Sequence, residues 1–241
     1  MKELDAYTIQ EEEIESVELM ERAANSAALF ISGKYRDHER PIIIFSGPGN
    51  NGGDGLALAR LLHKEGYKDI HAYLFNTNNS LSEDCQKNAE RLQQECPEVL
   101  FTEVQQQFEA PELNKGQLIV DALFGTGLNK PLGGGYAALI RLINGAKADV
   151  VSLDMPSGLM CEDNTYNSPS AIVRATVTLT FGLPKLALIL ADSQCYTGDV
   201  YVLDILLNEK KIEETNCPYE ITEGHDILAM LKSRPAYGHK G

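Results

Sequence analysis

Nine residues carry the first chemical signal in this chain: GPGNNGGDG, 47–55, directly after the apolar run Ile42-Ile43-Ile44-Phe45. Glycines between a strand and a helix let backbone N–H groups approach a phosphate. Two asparagines and Asp54 add polar side chains where a phosphate-bearing ligand would sit. Two further clusters have the same make-up, DALFGTGLNKP at 121–131 and DMPSG at 154–158. Each places an aspartate where an apolar run gives way to a small-residue turn. Asp121 alone reads equally well as a turn former or helix cap. Three such clusters point to one shared site.

The first cluster satisfies the loose pattern G-x-G-x-x-G through Gly47, Gly49 and Gly52, which suggests a dinucleotide dehydrogenase. That fingerprint needs an acidic residue about 20 positions on, at the far end of the next strand. Asp69 has roughly that separation but precedes the strand DIHAYLF, which ends instead at Phe75-Asn76-Thr77. The loop also lacks the G-K-[ST] ending of an ATPase phosphate loop. Both nucleotide-enzyme readings lose their support. The GTG turn at 125–127 reads either as backbone donors for a pyrophosphate or as a plain tight turn.

The elements that must position these clusters alternate along the chain. Apolar positions over 9–33 predict one amphipathic N-terminal helix. Strands are predicted at 41–46, 69–75, 117–123, 148–154, 172–181 and 200–205, with helices at 53–65, 82–95 and 134–144. This rhythm predicts an α/β fold: a Rossmann-like three-layer α/β/α sandwich with a mostly parallel central sheet. Ligands in such sheets bind at the carboxyl ends of the strands, where all three polar clusters fall.

Composition narrows the function. A chain of 241 residues suits one large domain that buries roughly 70–75% of its unfolded surface. The formal net charge of −14 disfavours nucleic acid as a partner. No stretch reaches the ~18 consecutive apolar residues of a membrane span. The acidic start MKELDAYTIQEEE lacks a basic-then-apolar leader, so the expected location is cytoplasmic. Cys85, Cys96, Cys161, Cys195 and Cys217 form no C-x-x-C pair and read as reduced thiols. The histidines show no metal-ligand spacing.

The segments GPGNNGGDGLALARLL, DALFGTGLNKPLGG, VVSLDMPSGL and TFGLPKLAL occur in the order and spacing of the NAD(P)H-hydrate epimerases, and the chain resembles that family over roughly 10–205. ELMERAA at 18–24 is similar to the family's N-terminal helix, with Ala24 where glycine is more usual. RPAYGHKG, 234–241, resembles the opening of the ADP- or ATP-dependent hydrate dehydratase. The resulting division is an epimerase domain over 1–232, with 233–241 starting a C-terminal dehydratase domain or linker.

The resemblance implies an isomerase that interconverts the R and S epimers of NADHX or NADPHX, reduced nicotinamide cofactors hydrated at C6. It implies a homodimer, a C-terminal dehydratase domain in the full-length chain, and no nucleic-acid or membrane partner. It assigns the substrate to Asn50, Asn51, Gly52, Gly53 and Asp54, to Gly125, Thr126, Gly127, Leu128, Asn129, Lys130 and Pro131, and to Asp154. It assigns a potassium ion (K+) to Asn51, Asp121 and Ser157. An amide, a hydroxyl and one carboxylate supply oxygen with little charge, which suits a monovalent cation better than magnesium.

For the chemistry, Asp154 is the first candidate acid-base group: it ends a central strand and is not assigned to the ion. Asp54 is a second candidate, or else stabilises its helix through the macrodipole. Lys185 either neutralises phosphate or assists proton transfer as part of the substrate site, or is a solvated surface lysine. Two rival classes stand beside the epimerase. One is a non-catalytic dimerisation scaffold of the kind found in messenger-RNA decapping proteins. The other is an ATP-dependent kinase or dehydratase, whose apparatus would lie beyond Gly241.

Overall fold

Seven short runs, most of them rich in apolar residues, pair into one sheet, and every pairing is parallel. The strands are β1 (Ile42–Ser46), β2 (Ile70–Phe75), β3 (Leu100–Val104), β4 (Leu118–Ala122), β5 (Asp149–Leu153), β6 (Val177–Phe181) and β7 (Asp199–Leu203). Their spatial order is β3-β2-β1-β4-β5-β6-β7. β1, β4 and β6 are buried throughout, as expected of strands covered on both faces. The computed structural model describes residues 1–222 and 224–231. These fall into two units, Met1–Leu207 and a second beginning at Asn208. The second contains α8 (Glu209–Glu214) and α9 (Gly224–Met230). The sequence-based boundary at 233 and the RPAYGHKG segment lie outside the described residues.

Helices cover both faces of the sheet. On one side α2 (Ser16–Lys34), α3 (Asn50–Lys64) and α4 (Glu83–Glu95) pack on one another, with α3 against β1, β2 and β4. On the other, α5 (Gly134–Gly145) brings Leu139, Ile140 and Ile143 onto Phe45, Ile119 and Val150. This is the three-layer sandwich expected from the sequence. α1 (Lys2–Glu11), α6 (Leu186–Ile189) and α7 (Gln194–Thr197) are shorter.

Four local expectations change. The N-terminal helix is two helices, because Glu13 takes a left-handed conformation (φ 53°) and α2 restarts where Glu15 N–H donates to Glu18 Oε2 at 3.2 Å. β3 was not predicted; it is an edge strand, and of its residues only Val104 is buried. β6 begins at Val177, because Val173 N–H instead donates to Ser157 O (2.9 Å) and Ala175 N–H to Tyr196 O (2.8 Å), away from β5. The predicted start of the strand thus clamps the DMPSG turn. α3 starts at Asn50 rather than near Gly53, which puts the asparagines inside a helix.

That early start depends on glycine. A Cβ on Gly52 would lie 1.7 Å from the Gly47 carbonyl oxygen, and one on Gly47 would lie 1.9 Å from that of Leu123. The strand-to-helix turn is thus stacked backbone on backbone between β1 and β4. Gly52→Ala is expected to cost about 2–3 kcal/mol or more in a denaturant melt. Gly33→Ala in α2, where a Cβ meets nothing within 4 Å, should be neutral or stabilising by up to ~1 kcal/mol. Equal effects would show that the stacking is not limiting.

Candidate active site

Strand order reverses between β1 and β4, and the crevice there is where open parallel sheets bind ligands. A cavity of about 540 Å³ occupies it. Its walls come from the N-terminus of α3, the turns after β4, β5 and β6, and one side of α1 and α2.

Asp154 follows β5 in a backbone conformation that L residues rarely adopt (φ 63°). Its own N–H donates to Leu179 O (2.7 Å), and Met155 N–H reaches back to Leu153 O (2.8 Å), closing a γ-turn. The same turn recurs after β6, where Leu183 N–H donates to Phe181 O (2.8 Å) around Gly182 (φ 69°). A glycine there is unstrained. An aspartate in its place costs on the order of 1–3 kcal/mol, a cost seen mainly where a side chain must be aimed.

The aim is plain from its partners. Asp154 Oδ1 pairs with Lys185 Nζ at 2.7 Å, and Oδ2 accepts Thr126 N–H at 3.0 Å. Lys185 is buried, not a solvated surface lysine. Its ammonium also donates to Thr180 Oγ1 (2.8 Å) and Phe181 O (2.9 Å), so its three hydrogens are taken. Lys185 therefore acts on Asp154 and has no hydrogen left for a phosphate. The GTG turn is likewise not a simple row of free donors, since Thr126 N–H is held by Asp154.

Asn51 stands across from this pair. A Cβ on Gly125 would lie 2.7 Å from Asp154 Oδ2 and 3.2 Å from both Asn51 Cγ and Oδ1. Both Asn51 amide atoms are buried and, among the described residues, without a hydrogen-bond partner, a costly state unless a ligand supplies one. Asp121 lies within β4 and is fully buried. Its Oδ2 accepts Ser152 Oγ–H (2.7 Å) and Ser157 N–H (2.8 Å), while Oδ1 has only a long contact from Leu123 N–H (3.4 Å). Ser157 Oγ accepts Phe124 N–H (2.9 Å). Ser157 Oγ–H in turn donates to Phe124 O (3.3 Å), so Asn51, Asp121 and Ser157 all lie about the Leu123–Gly125 corner, each with a side-chain oxygen. Among the described residues no cluster of three or more His, Cys, Asp or Glu has metal-holding geometry.

Asn50, Asn51 and Gly52 present the N–H groups that precede the first bond of α3, Gly53 N–H to Gly49 O (3.2 Å). The structure separates the other glycines of the cluster by role. Gly47 and Gly52 are packed on backbone, Gly53 against Met20 Sδ, and only Gly49 has open space. Gly125, Thr126, Gly127 and Leu128 line the cavity, whereas Asn129, Lys130 and Pro131 are exposed outside its wall.

Asp54 also lines the cavity. Its carboxyl takes no hydrogen bond and no ion pair among the described residues. Burial pushes it well above the usual carboxylate range, and Asp154, Asp5 and Asp84 push it further. Asp5 on α1 is raised in the same way, by burial first. Asp121 is also raised by burial, against the opposing pull of its Ser157, Ser152 and Leu123 hydrogen bonds. Sequence reasoning missed Asp5 and the wall formed by α1. Its one available signal was an aspartate in a helix whose apolar pattern is weak.

The family described as YjeF-related protein N-terminus matches residues 16–187. An NAD(P)H-hydrate epimerase of Limosilactobacillus reuteri is 38% identical over 208 residues, spanning 84% of this chain and 91% of the relative. A bifunctional NAD(P)H-hydrate repair enzyme of Moorella thermoacetica is 33% identical over 245 residues, covering all of this chain but 46% of the relative. The crystal structure of a yeast protein, ynu0, superposes with a TM-score of 0.71 over 92% of this chain and 94% of that one, at 20% identity. That last likeness establishes the fold alone.

The raised Asp54 makes a stability prediction. The unfolded chain releases this proton in the ordinary carboxylate range while the native state retains it, so native stability falls as pH rises through the native value. Asp54→Asn removes the penalty. The variant should melt above the parent at pH 7–8, with the gap closing towards pH 4. Each kcal/mol relieved is worth about 2–4 °C at this chain length. A gap that is constant with pH in thermal melts would contradict it.

Proposed function

The chain belongs to the NAD(P)H-hydrate epimerase family, and from that premise we propose that it interconverts the R and S epimers of NADHX or NADPHX. Asp154 acts as the acid-base group and K+ is the bound ion. The observation that carries this reading is the Asp154–Lys185 pair, held in a strained turn beside an Asn51 amide that has no protein partner.

The substrate is large and anionic, and the cavity suits it in two ways. The free N–H groups at the start of α3 favour a phosphate, since backbone donors and the helix macrodipole act together there. The cavity also carries apolar walls, Leu19 and Met20 from α2, Phe124, Phe181 and Ile205, against which a reduced ring excludes water. C6 of the hydrate bears a hydroxyl and the ring nitrogen. Its configuration is lost by expelling water or by opening the ring, and each route moves a proton. The Lys185 ammonium at 2.7 Å from Oδ1 and the Thr126 N–H at 3.0 Å from Oδ2 fix the Asp154 carboxyl in place at the cavity wall, where it can take up that proton.

Asn51, Asp121 and Ser157 would hold the cation through oxygen. Their fit rests on the orphaned Asn51 amide and the under-used Asp121 Oδ1. K+ held there would supply a fixed positive charge to offset the carboxyls and the anionic substrate. The protein's five free cysteines are in keeping with the reducing cytoplasm, where these cofactors operate. A homodimer belongs to the same reading; edge strand β7 leaves Tyr201 and Val202 exposed, with Tyr201 against Phe30 of α2 (ring centroids 4.6 Å). So does a partner dehydratase acting on the S epimer, whether fused to this chain or separate. The unpartnered Asn51 and Asp54 are costly features that a non-catalytic scaffold would not need.

The test couples the chain to a dehydratase strictly specific for S-NADHX and follows recovery of NADH from purified R-NADHX. The protein should accelerate recovery, and Asp154→Asn should lose ~10²–10⁴-fold of that acceleration. Replacing K+ with a bulky organic cation should depress it. Well-folded protein that gives no acceleration would overturn the reading.

A further inference from the structure

Resting on the epimerase reading, we propose that Asp54 is a second catalytic group, the proton donor that works opposite the Asp154 base, and that Asp5 of α1 helps keep it loaded. Among the described residues, Asp154 is the one of the three cavity-wall carboxyls that forms an ion pair. Asp54 is buried, lines the cavity, and carries neither a hydrogen bond nor an ion pair among the described residues. It lies on the fifth residue of α3, beyond reach of the free N–H groups that could cap a carboxylate. Stabilising the helix does not account for such a group. A neutral carboxylic acid, which has a hydrogen to donate, does.

The groups that face it hold it in that state. They come from four directions: Asp154 after β5, Lys185 after β6, Asp5 from α1, and Asp84 with Cys85 from α4. Three of the five are acids that disfavour a further negative charge, and Lys185 is engaged by Asp154. Cys85 is itself pushed up to about 12 by burial and by Asp54, so it adds no charge. Ser16 Oγ–H donates to Asp84 Oδ2 at 2.6 Å, which leaves that carboxylate satisfied without Asp54. α1 lies outside the matched residues 16–187, yet it carries Asp5 to this cavity.

Two carboxyls in opposite states match ring opening. Asp154 takes the proton of the C6 hydroxyl, the C6–N1 bond breaks, and a C6=O bond forms. The electron pair of the broken bond goes to N1, which takes the proton of Asp54. Re-closure on the other face of C6 reverses each transfer: N1 attacks the carbonyl carbon, Asp154 returns a proton to oxygen, and Asp54 recovers the N1 proton. The cycle begins and ends with the same protonation states, and no co-reactant is needed.

The experiment uses the full chain in the R-NADHX assay, with Asp54→Asn and Asp5→Asn compared with the parent. Asp54→Asn preserves size and neutrality, so it should fold, melt no lower than the parent, and keep its KM. Its kcat should fall ~10²–10⁴-fold. In the parent, kcat/KM should decline on the alkaline side as Asp54 loses its proton. Asp5→Asn should move that limb to lower pH while leaving the rate on the acid side within about threefold. Near-parental kcat in Asp54→Asn overturns the proposal, as does an alkaline limb unmoved by Asp5→Asn. Activity of Asp54→Asn that returns at high K+ would make the carboxyl a cation ligand, which also overturns it. An inactive parent would instead sink the epimerase reading itself.

Discussion

The site depends on one close approach: the first turn of α3 must settle into the crevice between β1 and β4 with no side chain in between. Gly52 rests on the Gly47 carbonyl and Gly47 on that of Leu123. Only hydrogen at both Cα atoms allows it. Because α3 begins this low, Asn51 meets Gly125 and Asp54 opens into the cavity instead of into solvent. A helix raised by the width of one methyl group would lift both away from Asp154. Gly47 and Gly52, which first suggest phosphate binding, are therefore packing positions, and the polar residues Asn50, Asn51 and Asp54 are the ones turned to the cavity.

A second constraint comes from the turns after β5 and β6, which are built alike. Glycine occupies the left-handed position in one and Asp154 in the other. The matched pair isolates what the aspartate is for, since the backbone path alone would be served better by glycine. Lys185, carried just past the glycine turn, reaches across to hold Asp154 Oδ1. The clamp of Val173 on Ser157 O (2.9 Å) fixes the turn that follows. Three adjacent strand ends thus act as one frame, and the side chains they present are held by backbone rather than by surface loops.

Most of this frame was legible in the sequence because the signals are local. Apolar β-branched runs, their alternation with helices, and aspartates at strand ends gave the sheet and the three clusters. β3 was not legible, since an edge strand reading LFTEV with one buried residue has neither alternation nor a continuous apolar run. The break at Glu13 escaped notice because it contains no glycine or proline, only a left-handed glutamate. Which members of each cluster face the cavity was also hidden. Asn129, Lys130 and Pro131 share a motif with Gly125 yet lie outside its wall, a matter of chain direction after the turn rather than composition. The burial of Lys185 and the role of α1 depend on contacts across the fold, which no local pattern encodes.

Charge balance ties these features together. The cavity gathers Asp5, Asp54 and Asp154 with two lysines, Lys2 and Lys185, Asp121 is buried in β4, and the proposed substrate brings further negative charge. Carboxylates this close in a shielded site cannot all remain ionised. Two remedies exist: some carboxyls keep their protons, or a cation enters. The structure has room for both, in different places. Among the described residues Asp54 has acidic neighbours that favour its neutral form and accepts no hydrogen bond, whereas Asp121 accepts two on Oδ2 and only the long Leu123 N–H contact (3.4 Å) on Oδ1. The cavity thus presents an ion-paired carboxyl at Asp154 and, at Asp54, one without an ion pair among the described residues whose neighbours favour the neutral form. That asymmetry is what the proposed proton transfers on a hydrated ring require.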